Sequence, residues 1–188
     1  MDERQLVKDC LRGRPEAQRQ LYERFAKTML GVCYRYTRSL ADAEDVLQEG
    51  YVRVFTGLKQ YKFEGELGAW VRRVMVNTAL NYLKRNRKYR DEMFYTDQPP
   101  LLHPVAGSDP AINLQAKELA DLIRQLPHGY QTIFNLHAVE GYSHVEIGEM
   151  LGISDGTSRS QYARARALLI SWLEEISVEK KIKNYAGQ

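Results

Sequence analysis

Apolar positions recur along most of this chain at steps of three and four, the spacing of helices with one buried side. Near the N-terminus Leu6, Val7 and Leu11 form one such set, ended by Gly13-Arg14-Pro15. Leu21, Tyr22, Phe25, Met29, Leu30, Val32, Cys33 and Tyr36 form the next. After Ser39-Leu40-Ala41-Asp42, where Ser39 or Asp42 can cap a new helix, Leu47, Tyr51, Val54, Phe55 and Leu58 mark the inner side of a helix over roughly 43–59. A short connection, Tyr61-Lys62-Phe63-Glu64-Gly65, leads into a further helical run over 66–90, with Val71, Val74, Met75, Ala79, Tyr82 and Leu83 available for burial.

The periodicity lapses between this run and Asn113, where Gln98-Pro99-Pro100, His103-Pro104 and Gly107-Ser108-Asp109-Pro110 follow closely. Such a stretch is long for a loop inside one domain and reads as a linker. Beyond it Leu119, Leu122, Ile123 and Leu126 repeat at helical spacing up to Pro127, and Tyr130, Ile133, Phe134 and His137 mark another short helix. Ser143-His144-Val145-Glu146 has the capping-box pattern, with Ile147, Met150 and Leu151 facing inward and Gly152 turning the chain. Ser154 can cap the last helix, which carries Arg159, Ser160, Gln161, Arg164 and Arg166 before Leu168, Leu169, Ile170 and Trp172. A short capped helix, a glycine turn and an arginine-bearing helix make a helix-turn-helix pattern. The expected fold is all-α, with two small helical domains over 1–90 and 112–188 joined by a flexible linker over 91–111.

Net charge is only +3 among 188 residues, so the total says little about partners. Its distribution says more. Residues 41–50 carry Asp42, Glu44, Asp45 and Glu49 and no cation, whereas 66–90 carry Arg72, Arg73, Lys84, Arg85, Arg87, Lys88 and Arg90 against Glu66 alone. On the basic helix Trp70, Arg73, Asn77, Asn81, Lys84 and Lys88 share a side. An aromatic, two amides and a ladder of cations match base planes, base edges and phosphates. Asp42, Asp45 and Glu49, with Gln48 beside them, step along one side of the preceding helix. Carboxylates near a helix N-terminus favour its dipole, but Glu49 lies too far along for that, which leaves room for a docking surface for a basic partner.

No run approaches a membrane span and the charged N-terminus has no signal-peptide pattern, so a cytoplasmic location without membrane insertion is expected. Cys10 and Cys33 form no CxxC or His/Cys cluster and read as core thiols, and His103, His128, His137 and His144 are scattered. With no glycine-rich phosphate loop or nucleophile constellation, neither catalysis nor a cofactor nor a metal is expected.

The run DAEDVLQEGYVRVFTGLKQY followed by WVRRVMVNTALNYLKR resembles the promoter-binding domain of extracytoplasmic-function sigma factors, region 2. The run LPHGYQTIFNLHAVEGYSHVEIGEMLGISDGTSRSQYARARALL resembles their region 4, and the order and separation match as well. The resemblance implies an alternative sigma factor that binds core RNA polymerase, recognises −35 and −10 promoter elements and promotes melting. It further implies that Asp42, Asp45, Gln48 and Glu49 dock on the clamp coiled coil of the largest polymerase subunit. Lys62, Phe63, Trp70, Arg73, Asn77, Asn81, Lys84, Arg85 and Lys88 would bind the −10 element, with the Phe63 loop and Asn77 taking a flipped base. Trp70 would pack that loop, wedge against the melted junction or simply join the core.

Ser154, Thr157, Arg159, Ser160, Gln161 and Arg164 match the −35 reading helix, with arginine suited to guanine, glutamine to adenine, and the N-terminal amides to phosphate. Other implied partners are the polymerase flap region and an anti-sigma factor. Two other functions compete: a free-standing helix-turn-helix regulator, which leaves the acidic stripe and the Trp70 face unexplained, and a single-strand RNA binder, which leaves the helix-turn-helix idle.

Overall fold

A computed structural model describes residues 2–86 and 114–186, with side chains described over 2–86 and 119–178. Every regular element among the described residues is helical, and the chain divides into two compact units, Met1–Arg87 and Lys88–Gln188. The expected linker over 91–111 lies outside the described residues.

The first unit is built from α1 (Glu3–Leu11), α2 (Pro15–Tyr34), α3 (Leu40–Gly57), a short 3-10 turn (Leu58–Gln60) and α4 (Leu67–Arg85). Gly13, at φ +73°, turns the chain between α1 and α2, and Pro15 opens α2, where a missing N–H costs nothing. The turn is held by buried Asp9, whose carboxylate takes Gln5 at 3.0 Å, Arg12 at 3.3 Å and Arg14 at 3.1 Å. Ser39 caps α3, its hydroxyl accepting from the Asp42 N–H at 3.1 Å.

The core gathers Leu6, Leu21, Met29, Val54, Leu67 and Met75, all essentially inaccessible, with both cysteine thiols buried among them. Burial holds Cys33 protonated, its pKa pushed up to about 12. Leu11 and Tyr22, expected inside, are half exposed, because the helices facing α1 and α2 cover a narrower stripe than the apolar spacing offers. On α4 the buried side includes Val76 and Leu80 as well as the expected Val71, Met75, Ala79 and Leu83, while Val74 and Tyr82 are half-buried. The expected helix over 66–90 has Arg85 as its last residue, and positions 87–90 lie outside the described residues.

The second unit comprises α5 (Leu114–Gln125), α6 (His128–Phe134), a π-type turn (Asn135–Val139), α7 (His144–Leu151) and α8 (Asp155–Ala186). Leu122, Ile123, Leu126, Ala165, Leu169 and Trp172 form its buried cluster, so α5 packs on the middle of α8. On α6 and the turn that follows it the buried side is more polar than the apolar spacing suggests: His128, Gln131, Thr132 and Asn135 are fully buried beside Ile133 and Leu136. His128 Nδ1 lies 3.1 Å from Gln131 Oε1, which satisfies one atom of each of these two buried side chains. Ile170, expected with its apolar neighbours, is half exposed.

Candidate nucleic-acid interface

Tyr61 organises the entry to α4. Its hydroxyl donates to the Gly65 carbonyl at 2.7 Å, closing the five-residue loop on itself. Its ring sits 5.0 Å from Phe63 and 5.6 Å from Trp70, tilted against both. Gly65 takes φ +96°, which suits glycine, and Phe63 takes φ +60°, which an aromatic residue adopts only when its surroundings hold it. That hold comes from Tyr61 on one side and from Arg4, whose guanidinium stands 5.7 Å from the Phe63 ring centre. Lys62 is exposed.

Between the end of α3 and the face of α4 lies an open cleft of about 400 Å³, walled by Arg53, Gly57, Gln60, Trp70, Arg73 and Asn77. The indole of Trp70 passes close to Gly57, within van der Waals reach of a side chain placed there. Trp70 is half-buried, which joins the packing and the surface readings in one residue. Arg73 and Asn77 are exposed, one α4 turn apart. The cleft thus offers an aromatic wall, two side-chain amides from Gln60 and Asn77, and cations at the rim. A planar, hydrogen-bonding, anion-flanked group fits that chemistry.

Phe63 does not line this cleft itself and meets its Trp70 wall through the Tyr61 ring between them. Gly57, Gln60 and Arg53 take their places there without having been singled out in the sequence; their only signal was one helical spacing ahead of the loop. Farther along α4 Asn81 is half-buried and Lys84 and Arg85 are exposed. Lys88 lies outside the described residues.

The acidic stripe on α3 divides in two. Asp45 and Gln48 are exposed. Asp42 accepts from the Tyr82 hydroxyl at 2.7 Å, and Glu49 accepts from Arg53 at 2.7 Å and from Arg85 at 2.5 Å. Partial burial pushes the Glu49 carboxyl up, but the hydrogen bonds and charges of Arg85 and Arg53 outweigh it and hold it below the usual carboxylate range.

In the second unit the capping box forms as expected: the Ser143 hydroxyl accepts from the Glu146 N–H at 3.3 Å, and the Glu146 carboxylate accepts from the Ser143 N–H at 2.8 Å. Gly152, at φ +73°, ends α7, and Ser154 caps α8 by accepting from the Thr157 N–H at 2.9 Å. Arg159, Ser160 and Arg164 are exposed on the following turns, and Gln161 is half-buried. The Ser160 hydroxyl donates to the Thr157 carbonyl at 3.0 Å, and Arg159 pairs with Asp155 one turn before it. Asp155 is held below its ordinary range chiefly by that hydrogen bond.

Two of the histidines, on either side of the turn into α7, stack in the fold. The rings of His137 and His144 lie 4.2 Å apart, and Tyr162 of α8 packs on both. His137 Nδ1 is 2.8 Å from the Tyr142 carbonyl, which can only accept, so that nitrogen carries the proton. His144 Nδ1 lies 2.9 Å from the Ser158 hydroxyl and ties α7 to the start of α8. No cluster of three or more metal-ligating side chains occurs among the described residues, and no helix there is long and apolar enough to cross a membrane.

Comparison with known proteins places these two sites in context. A family model described as Sigma-70 region 2 matches residues 21–89, and one described as Sigma-70, region 4 matches residues 116–169. The chain is 28% identical over 173 residues to the ECF RNA polymerase sigma-E factor of Haemophilus influenzae, covering 87% of this chain and 91% of that protein. It is 24% identical over 179 residues to the ECF RNA polymerase sigma factor SigW of Bacillus subtilis, covering 90% and 96%. SigE of Mycolicibacterium smegmatis is 30% identical over 164 residues, covering 85% of this chain and 63% of that one. Among solved structures, the sigma factor RpoE of Bartonella quintana, crystallised with the anti-sigma factor NepR, is similar in fold. Its TM-score is 0.51 at 19% identity, covering 83% of this chain and 96% of that one.

Proposed function

The chain belongs to the extracytoplasmic-function family of RNA polymerase sigma factors, and from that premise we propose how its residues divide the work of an alternative sigma factor in transcription initiation. Residues 1–90 act as region 2, 91–111 as linker and 112–188 as region 4. The first unit docks on the clamp coiled coil of core polymerase through Asp45 and Gln48, with Asp42 and Glu49 beside them. It takes a flipped −10 base into the Trp70–Asn77 cleft while Arg73, Lys84, Arg85 and Lys88 follow the backbone. Unstacking a base costs a few kcal/mol, and stacking on Trp70 with edge hydrogen bonds to Asn77 offsets it. Lys62, Phe63 and Asn81 border this path.

In the second unit Arg159, Ser160, Gln161 and Arg164 face the −35 bases, and Ser154, Thr157 and the first amides of α8 hold phosphate. The polymerase flap region and an anti-sigma factor complete the partners; RpoE, a similar fold, was solved bound to one. The protein works in the cytoplasm and contributes no catalysis of its own, which remains with the polymerase. The free-standing regulator finds no support beside two family matches in sigma order.

The observation that carries this reading is the cleft that gathers Trp70, Arg73 and Asn77 at the surface. Its test is reconstitution with purified core polymerase on genomic DNA. Asn77→Ala should lower open-complex formation at least about tenfold while core affinity stays within about twofold, since the loss of paired edge contacts is confined to DNA. Charge reversal at Asp45 should weaken core binding first. Unchanged core affinity after reversal would contradict the docking assignment, and the absence of any core-dependent start site would sink the whole reading.

A further inference from the structure

Glu49 holds two arginines that belong to different parts of the surface. Its Oε1 accepts from Arg53, one turn farther along α3, and its Oε2 accepts from Arg85 in the last turn of α4. Arg53 stands in the wall of the cleft that contains Trp70, Arg73 and Asn77. Glu49 is itself one member of the acidic stripe. One carboxylate therefore joins the stripe, the cleft and the cationic end of α4. The carboxylate keeps 31% of its side-chain exposure, so a partner can reach it while both arginines are bound. Carboxylate and phosphate compete for the same guanidinium N–H groups, because both accept from arginine's planar fork.

We propose that Arg53 is a further DNA-contacting residue of the cleft, and that Glu49 withholds Arg53 and Arg85 from DNA until a cationic partner surface engages the acidic stripe. The proposal rests on the reading of the cleft as a base pocket and of the stripe as the polymerase-docking face. A lysine or arginine of the partner replaces the internal cations at Glu49. Arg53 then turns to a phosphate beside a base held against Trp70, and Arg85, about four turns farther along α4, to the strand's backbone beyond it. Exposed ion pairs are weak, so the restraint is a bias of about three- to tenfold and no absolute block. The coupling is reciprocal: DNA in the cleft raises affinity for the partner by the same factor.

The test uses the intact chain without polymerase, titrated at low salt with a fluorescent single strand of about 12 nucleotides of random sequence, within the range of a single-strand site. Glu49→Gln should tighten binding about three- to tenfold. Glu44→Gln removes the same charge from an exposed position on the same helix and should change binding by less than about twofold. The gain from Glu49→Gln should vanish when Arg53 and Arg85 are both glutamine. Equal gains from the two acid substitutions, a gain that survives loss of both arginines, or no binding by any variant would each overturn the proposal. Trp70→Ala and Asn77→Ala test the underlying reading separately. If they weaken binding while Glu49→Gln gains nothing, the cleft stands and the restraint falls. If they change nothing while Glu49→Gln still gains, the arginines bind DNA elsewhere and the cleft reading falls. Far-UV circular dichroism and urea midpoints confirm that each variant is folded.

Discussion

Tyr61 is the residue on which the entry to α4 depends. Its ring wedges between Phe63 and Trp70, and its hydroxyl spans the loop to Gly65. Tyr61→Phe keeps the ring and removes only that hydrogen bond, so it should cost about 1 kcal/mol in urea unfolding of the first unit. The Gly65 carbonyl can turn to solvent, which caps the loss. The sharper consequence is for Phe63, whose left-handed backbone is held by its neighbours: faster exchange of the amides over 62–65 is expected, and unchanged exchange would show that the ring contacts of Tyr61 and Arg4 hold it without the hydrogen bond to Gly65. Glu49 is the second residue with consequences beyond its own contacts. Its pKa is lowered on folding, so its ion pairs stabilise the unit above the ordinary carboxylate range and are lost as pH falls through the folded value.

At the scale of elements, the helix-turn-helix depends on how closely α7 approaches the turn that follows it. A methyl group added at Gly148 would stand 2.8 Å from the Ile153 carbonyl oxygen. That oxygen is backbone and cannot swing aside. Gly148→Ala should therefore destabilise the second unit by about 1–3 kcal/mol and displace the start of α8, since a well-packed contact has to open. Reduced affinity for a −35 duplex with unchanged affinity for core polymerase is the functional readout. A stability loss below about 0.5 kcal/mol would mean that the turn relaxes freely. Cap patterns were readable in advance here: Ser39, Ser143 and Ser154 each accept the N–H three residues on, because an N-cap needs only its own side chain and the local backbone.

At the scale of the molecule, the two units differ in their response to acid. His144 is held below its ordinary value of 6.5, first by burial, then by the charge of His137 and of Arg159, with Asp155 opposing. Tyr162 and Ser158 face it from α8. A lowered folded pKa means that the unfolded state binds the proton more readily. Stability is thus full above 6.5 and falls as pH drops through the folded value. Hydrogen exchange should show amides of α7 and the first turns of α8 losing protection as pH falls below the ordinary value of 6.5, ahead of those in α3 and α4. Replacing His144 with glutamine should flatten that difference. A pH response that persists in the variant would assign it to another group.

Helical periodicity, caps and breakers act over a few residues, and so the sequence by itself determined the helices, their starts, the helix-turn-helix and the division of charge. The resemblance carried by two separate motifs added the family. Contacts between residues distant in the chain depend on which helix faces which, and these only the tertiary structure decided. Nothing in the spacing of α3 says that Glu49 reaches Arg85, 36 positions away, or that Asp42 takes the Tyr82 hydroxyl. Nor does the scatter of histidines foretell that His137 and His144 stack against Tyr162. The cleft is of the same kind: Asn77 and Trp70 were legible on one helical face, but Gly57, Gln60 and Arg53 reach them from α3 and the turn that follows it, across the gap between two packed helices. Packing alone decides which side chains meet there, because burial of the apolar faces sets the helix pair's register and the polar residues must accept the neighbours it leaves them.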